Sequence, residues 1–183
     1  MKSLGIIAEY NPFHTGHAYH IKKAKEMIHP DYTVIVMSGA FVQRGEPAIV
    51  DKWTRSKIAL ENGADCVIEL PLACGVESAD YFAHYSVLLL KEMGVTDLVF
   101  GSEDGHIETF LDIAKTIETY PDLYNGYVKD AMKTGLRYPD ACNQALSLLM
   151  HKEVRTPNDL LGLAYVKEIV HHHYQITPHV IKR

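Results

Sequence analysis

Short apolar runs alternate with helical patterns along the first hundred residues of the chain. The helical patterns cover residues 15–28, 51–62 and 78–94, with Asp51 and Ser78 as suitable N-caps. The apolar runs show no alternation of apolar and polar positions, which is typical of strands buried on both faces of a parallel sheet. These runs predict strands at residues 4–8, 33–37, 66–70 and 97–100.

The second half of the chain is predominantly helical. A helix is predicted to begin at Thr156, because this capping residue is followed by a proline and then by Asp159 near the exposed amides, and to run to about residue 170. Residues 176–181 predict a last strand, and residues 40–50 predict a long loop. Three earlier helical patterns cover residues 106–119, 122–134 and 139–150.

This order of elements predicts an α/β fold. Four successive strand–helix alternations favour a Rossmann-like, doubly wound parallel sheet with right-handed crossovers, to which the second half adds further helices. Ligands of such sheets bind beyond the carboxyl ends of the strands. We expect residues 1–183 to form one domain.

Composition narrows the class of protein. The 183 residues are 47% hydrophobic and 22% charged, with a formal net charge of −5, so a strongly basic nucleic-acid-binding domain is not expected. No long uncharged apolar run predicts a membrane span. Cys66, Cys74 and Cys142 form no CxxC pair, and residues 1–10 lack the layout of a signal peptide. We therefore expect a cytoplasmic protein with reduced thiols and no metal site.

The segment His14-Thr15-Gly16-His17 stands where the first strand passes into the first helix. Histidines three positions apart lie on one side of a helix, and the amides of a helix N-terminus attract anions. Gly16 removes a side chain where a base or phosphate must approach closely. These features suit a nucleoside triphosphate, with the imidazoles stabilising charge on the α-phosphate. The alternative is that both histidines only cap the helix.

The sequence resembles the bacterial tRNA(Met) cytidine acetate ligase family, within the HxGH nucleotidylyltransferase-like proteins. The similar blocks occur in order along nearly the whole chain, and the Gln-Arg-Gly-Glu-Pro block is more specific than HxGH alone. They are residues 9–17 (EYNPFHTGH), 37–48 (MSGAFVQRGEPA), 69–71 (ELP), 100–103 (FGSE), 156–159 (TPND) and 181–183 (IKR).

The resemblance implies an ATP-dependent ligase. Such an enzyme joins acetate and ATP into acetyl-adenylate, releases pyrophosphate, and transfers the acetyl group to the wobble cytidine of elongator tRNA(Met) as N4-acetylcytidine. It implies His14 and His17 as catalytic residues, and Arg44 is a candidate phosphate or substrate contact. Mg²⁺ is expected with ATP, although no carboxylate cluster marks its position.

The resemblance also implies the residues that contact ATP. They are Ile7, Ala8, Glu9, Tyr10, Asn11, Pro12, Phe13, His14, Thr15, Gly16, His17, Ala18, Tyr19, His20, Gly101, Asn158 and Arg183.

Family members are roughly twice as long as this chain, which leaves three hypotheses for its activity. The first is the acetate ligase. The second is a small-molecule nucleotidylyltransferase that adenylylates a phosphate ester, and the third is an ATP-binding fragment without full activity. Much of the tRNA surface is expected beyond residue 183. Because the chain carries more acid than base, we expect only weak, salt-sensitive tRNA binding by these residues.

Overall fold

A computed structural model describes residues 1–183 as five strands and eight helices. The strands are β1 Ser3–Ala8, β2 Tyr32–Ser38, β3 Cys66–Leu70, β4 Asp97–Ser102 and β5 Thr177–Lys182. The helices are α1 Thr15–Ile28, α2 Lys52–Glu61, α3 Leu72–Gly75, α4 Ala79–Glu92, α5 Ile107–Thr119, α6 Pro121–Lys133, α7 Tyr138–Met150 and α8 Pro157–His171.

These elements confirm the predicted strands and helices. Asp51 and Ser78 act as N-caps, accepting hydrogen bonds from the amides of Thr54 and Tyr81. Helix α3 was not predicted, because a single turn is too short to show helical periodicity. No helix is both long and apolar enough to cross a membrane.

The strands form one parallel sheet in the order β3-β2-β1-β4-β5. The chain moves outward from β1 to β3, then returns to the other side of β1 to form β4. The β1–β4 boundary is therefore the topological switch point, at whose carboxyl end ligands bind in doubly wound sheets. The predicted α/β fold class is confirmed.

Alternate side chains of the strands enter two separate cores. On β2, Val34 and Val36 join a cluster of 26 buried residues that includes α4 and α8. Ile35 and Met37 point to the opposite face and join a cluster of 12 buried residues under α1 and α2. The additional helices α5, α6 and α7 enlarge the first core, which explains its greater size.

The close approach of α8 to the sheet depends on a glycine. A Cβ at Gly162 would lie 2.8 Å from Cδ2 of Phe100 on β4 and closer still to Cε2. Because real Cβ atoms do not approach that closely, any larger residue requires the Phe100 ring or α8 itself to move.

We predict that Gly162→Ala lowers the free energy of unfolding by about 1–3 kcal/mol, since it overpacks the α8–β4 contact. Gly126→Ala is the matched control, because Gly126 lies within α6 and a Cβ there meets nothing within 4 Å. Alanine should stabilise that site by about 0.5–1 kcal/mol. Urea unfolding of both variants measures the difference; equal effects at the two positions would contradict the packing argument.

Candidate active site

An open cleft of about 1130 Å³ lies at the carboxyl ends of the central strands. Its lining comes from the end of β1 and the turn after it, from α1, from the loop after β2, and from the ends of β4 and β5 beside the start of α8. The cleft thus coincides with the β1–β4 switch point, where the fold class places its ligands.

The cleft brings together most of the predicted site residues. Three predicted ATP contacts are not part of its lining. Phe13 packs its ring against Tyr10, with centroids 4.8 Å apart, while Thr15 is exposed at the start of α1 and Ala18 faces a neighbouring groove. The predicted residues in the lining are Ile7, Ala8, Glu9, Tyr10, Asn11, Pro12, His14, Gly16, His17, Tyr19, His20, Arg44, Gly101, Asn158 and Arg183.

The two histidines of the HTGH motif cap helix α1. Nδ1 of His14 accepts a hydrogen bond from the amide of Gly16 at 3.1 Å, and Nδ1 of His17 accepts one from the amide of His14 at 3.3 Å. The two rings stack with centroids 3.7 Å apart. Because each Nδ1 is an acceptor, each neutral ring carries its proton on Nε2. The cap therefore leaves one N–H donor on each ring, beside the cleft that both residues line.

Burial keeps His17 and His20 uncharged at neutral pH. Desolvation, followed by Coulombic repulsion from the neighbouring His14, His20 and Arg183, lowers the pKa of His17 to about 4. Desolvation, followed by Arg183, lowers the pKa of His20 to about 4. Nε2 of His20 is buried without a hydrogen-bond partner, although the residue lines the cleft. Both rings are thus neutral at pH 7 and suited to hydrogen bonding.

Tyr10 packs against the HTGH motif. Its backbone has a φ of 50°, in the left-handed region, and turns the chain away from the sheet directly after β1. The side chain is 2% exposed, and its ring meets the edge of His17 at a centroid distance of 4.9 Å. Burial raises the pKa of the Tyr10 phenol above its usual range. The ring therefore acts as an apolar support that fixes the plane of the His17 imidazole.

The loop after β2 forms a small hairpin anchored to the turn that follows β1. A bridge between Phe41 and Pro47 closes this hairpin, and exposed Arg44 lies at its tip. The carboxylate of Glu9 accepts from the amide of Gln43 at 2.7 Å, and Oδ1 of Asn11 accepts from the amide of Ile49 at 2.7 Å. Glu9 and Asn11, predicted as ATP contacts, thus use polar atoms to position the loop that carries Arg44.

Sequence reasoning missed Arg55, which is 0% exposed on α2. Its guanidinium donates to the carbonyls of Glu9 at 2.6 Å and Ser38 at 3.0 Å, and to that of Gly39. Its Nε donates to the carbonyl of Val50 at 2.9 Å. Burial lowers the pKa of Arg55, yet an arginine stays charged at neutral pH. A single side chain therefore joins the carboxyl ends of β1 and β2 to both ends of the hairpin loop.

The opposite wall of the cleft is built around Asp159. Its carboxylate accepts from the hydroxyl of Ser102 at 2.6 Å and from the amides of Glu103 at 3.1 Å and Asp104 at 3.3 Å. Glu103 in turn accepts from Nδ2 of Asn158 at 2.6 Å. The end of β4 and the start of α8 are thus locked together, and the side chain of Asn158 is oriented at the cleft.

Gly101 and Arg183 complete this wall. A Cβ at Gly101 would lie 3.0 Å from Cδ of Arg183, so the glycine leaves room for the arginine side chain across it. The amide of Arg183 donates to the carbonyl of Ser102 at 3.0 Å, which fixes the arginine backbone at the end of β4. Its positive charge then reaches His17 and His20 from across the cleft.

Comparison with known proteins identifies the family. The model of the HIGH Nucleotidyl Transferase family matches residues 1–183. The chain belongs to this family. The histidine motif of the family name corresponds in this member to the HTGH segment at the start of α1.

The relatives of this HIGH nucleotidyl transferase bear out the resemblance to the acetate ligases. The chain is 46% identical to the tRNA(Met) cytidine acetate ligase of Geobacillus sp. (strain WCH70) and 44% identical to that of Bacillus subtilis (strain 168), matching over all of its own length. It covers 46% and 45% of those two proteins. The chain thus spans about half the length of the curated relatives that it matches.

A solved structure agrees with the fold. The crystal structure of Thermotoga maritima TmcAL bound with alpha-thio ATP superposes with a TM-score of 0.93 at 40% sequence identity. The match covers 100% of this chain and 47% of that one. The apo form of the same protein gives a TM-score of 0.89 at 41% identity.

The lowered pKa values of His17 and His20 predict that the protein loses stability in mild acid. The unfolded chain binds protons at these histidines near their ordinary pKa of about 6.5, whereas the folded chain binds them near pH 4. The free energy of unfolding should therefore fall as pH is lowered between these values. NMR titration of the imidazole resonances, with urea unfolding at pH 7 and pH 5, measures both effects. Titration of both rings near pH 6.5 would contradict the assignment.

Proposed function

We propose that this chain binds ATP in the cleft and uses it to activate acetate as acetyl-adenylate. The observation that carries the proposal is the pair of Nε2–H donors that the HTGH cap presents at a helix N-terminus on the switch-point cleft. The names of the relatives and the alpha-thio ATP bound to the Thermotoga maritima protein support it. We assign residues 1–183 as the ATP-binding domain, and the longer protein as the acetylating enzyme.

The proposed chemistry has two steps. A carboxylate oxygen of acetate attacks the α-phosphorus of ATP, the bond from that phosphorus to the bridging oxygen breaks, and pyrophosphate leaves with the electron pair. The exocyclic amine of the wobble cytidine of elongator tRNA(Met) then attacks the acetyl carbonyl, and AMP leaves as the amine loses a proton. In the first step the Nε2–H groups of His14 and His17 stabilise the charge that grows on the phosphate oxygens.

The cationic groups of the cleft suit the polyphosphate. Arg44, Lys182 and Arg183 all belong to its lining, on the side of the hairpin and of the end of β5. The carboxylates in the lining are Glu9 and Glu46, and Glu9 already accepts from the amide of Gln43. These two groups do not form a magnesium cluster, so we assign the chain no magnesium ligands, and the ion would enter with ATP.

We predict that His17→Ala slows acetate-dependent exchange of labelled pyrophosphate into ATP by a factor of about 100 or more, because a donor to the transition state is lost. His17→Gln separates catalysis from capping, since glutamine at the third helical position sustains a capping box. His171→Ala is the control, as His171 is exposed at the far end of α8. Loss of exchange in both His17 variants supports catalysis; full activity of His17→Gln would reduce the motif to a helix cap.

The same exchange assay separates the alternative activities. Exchange that requires acetate supports the ligase. Exchange that requires a phosphate ester instead supports a small-molecule nucleotidylyltransferase, and ATP binding without any exchange supports a binding domain alone.

We predict that Arg44→Lys clearly impairs exchange, because a point charge cannot replace the planar fork of a guanidinium on a phosphate or carboxylate. Lys57→Arg is a suitable control, since Lys57 is exposed on α2 outside the cleft lining. Steady-state kinetics over a range of ATP and acetate concentrations identifies which substrate Arg44 contacts. An unchanged kcat/KM for both substrates would show that Arg44 contacts neither of them and is a solvated charge on the loop.

A further inference from the structure

A second cluster of histidine and carboxylate groups lies where α4 packs against α8. Glu168 lies in the last turn of α8, and His172 is the residue that caps the carboxyl end of this helix, four positions later and on the same side. His84 reaches them from the middle of α4. Oε2 of Glu168 is 2.8 Å from Nδ1 of His84 and 3.3 Å from Nε2 of His172, and the three atoms all lie within 4.8 Å of one another.

These distances are close to those of a tetrahedral metal site. Zn²⁺ bonds of about 2.0–2.1 Å to histidine nitrogen and carboxylate oxygen place tetrahedral ligand atoms about 3.3 Å apart. Two of the three separations already match this value within about half an ångström, and the third needs only a side-chain movement. Two imidazoles and one carboxylate are also a ligand set that favours zinc over magnesium or calcium.

The setting of the cluster permits an ion to enter and be held. The side chains of His84 and His172 are each 35% exposed and that of Glu168 is 20% exposed, so the ligand atoms are reachable but supported. Tyr174 stacks on the ring of His172 with centroids 5.2 Å apart, and Tyr85 meets the edge of His84 at 4.9 Å. Aromatic contacts of this kind restrict the orientation of both imidazoles.

The neighbouring histidines do not share in the cluster. His171 pairs instead with Glu118 of α5 at 2.9 Å, and His173 lies two residues past the end of α8, with a φ of 53°. Of the three consecutive histidines 171–173, only His172 therefore belongs to the cluster, which has three candidate ligands.

We propose that His84, Glu168 and His172 bind one divalent transition-metal ion of the zinc class, with solvent at the fourth position. Glu168 stands ten positions after Asn158, which places the cluster about 15 Å along α8 from the cleft, at the rise of about 1.5 Å per residue of an α-helix. The ion would not take part in adenylate formation. It would join α8 to α4 and so stabilise the support of the cleft wall, independently of the proposed function.

Titration calorimetry of the chelator-treated protein with zinc chloride tests the site. We expect one ion per chain, a rise in melting temperature with zinc concentration, and the visible bands of tetrahedral cobalt when Co²⁺ replaces zinc. His84→Ala and His172→Ala should each weaken the affinity at least about tenfold and abolish the tetrahedral spectrum. His171→Ala is the matched control and should bind as the parent protein does.

Two outcomes would overturn the proposal. One is the absence of zinc binding and of any thermal shift in the parent protein. The other is binding that His84→Ala leaves unchanged, which would place the ion on exposed histidines elsewhere. The melting temperatures of the variants without metal separate loss of the ligand from loss of the fold, since only the first leaves the metal-free protein intact.

Discussion

The site depends on one buried charge, the guanidinium of Arg55. Transfer of an ion from water into a protein interior is costly unless its hydrogen bonds are replaced. Here backbone carbonyls from the end of β1, the end of β2 and the hairpin loop accept from Arg55. The carbonyls of Glu9, Ser38 and Gly39 stand at or just after the ends of β1 and β2, where they accept from the buried guanidinium and satisfy its donors. Without Arg55, the carbonyls at these strand ends and in the loop would lose their donor.

The histidine motif shows how one side chain serves folding and chemistry at once. An imidazole has two nitrogens with opposite roles in its neutral form. In His14 and His17 the acceptor nitrogen closes the first turn of α1, and this choice fixes the proton on the nitrogen that remains free. Helix capping and presentation of a donor are therefore two results of the same tautomer, rather than the competing explanations that the sequence left open.

The sequence predicted the fold closely because its signals are local. Uninterrupted apolar runs, the caps at Asp51 and Ser78 and the Thr-Pro start of α8 each define an element from neighbouring residues. The role of Arg55 was not predicted, because an arginine on an amphipathic helix ordinarily faces water and its carbonyl partners carry no sequence signal. The histidine and carboxylate cluster between α4 and α8 was not predicted, because His84 and Glu168 lie far apart in sequence and meet only when the two helices pack. The side chains of Glu9 and Asn11, which were predicted to contact ATP, also hold the hairpin, and the sequence carries no signal for that second role.

That anchoring has a mechanical consequence. The hairpin with Arg44 is attached through Glu9 and Asn11 to the same turn that leads into the histidine motif. It is also held through Gln43 to the carbonyl of Glu77, and at its two ends through Arg55. The base of the hairpin and the two histidines are therefore fixed to the same turn, so that the position of one depends on the position of the other. Arg44, at the exposed tip, keeps its place relative to the HTGH motif through these contacts of the loop.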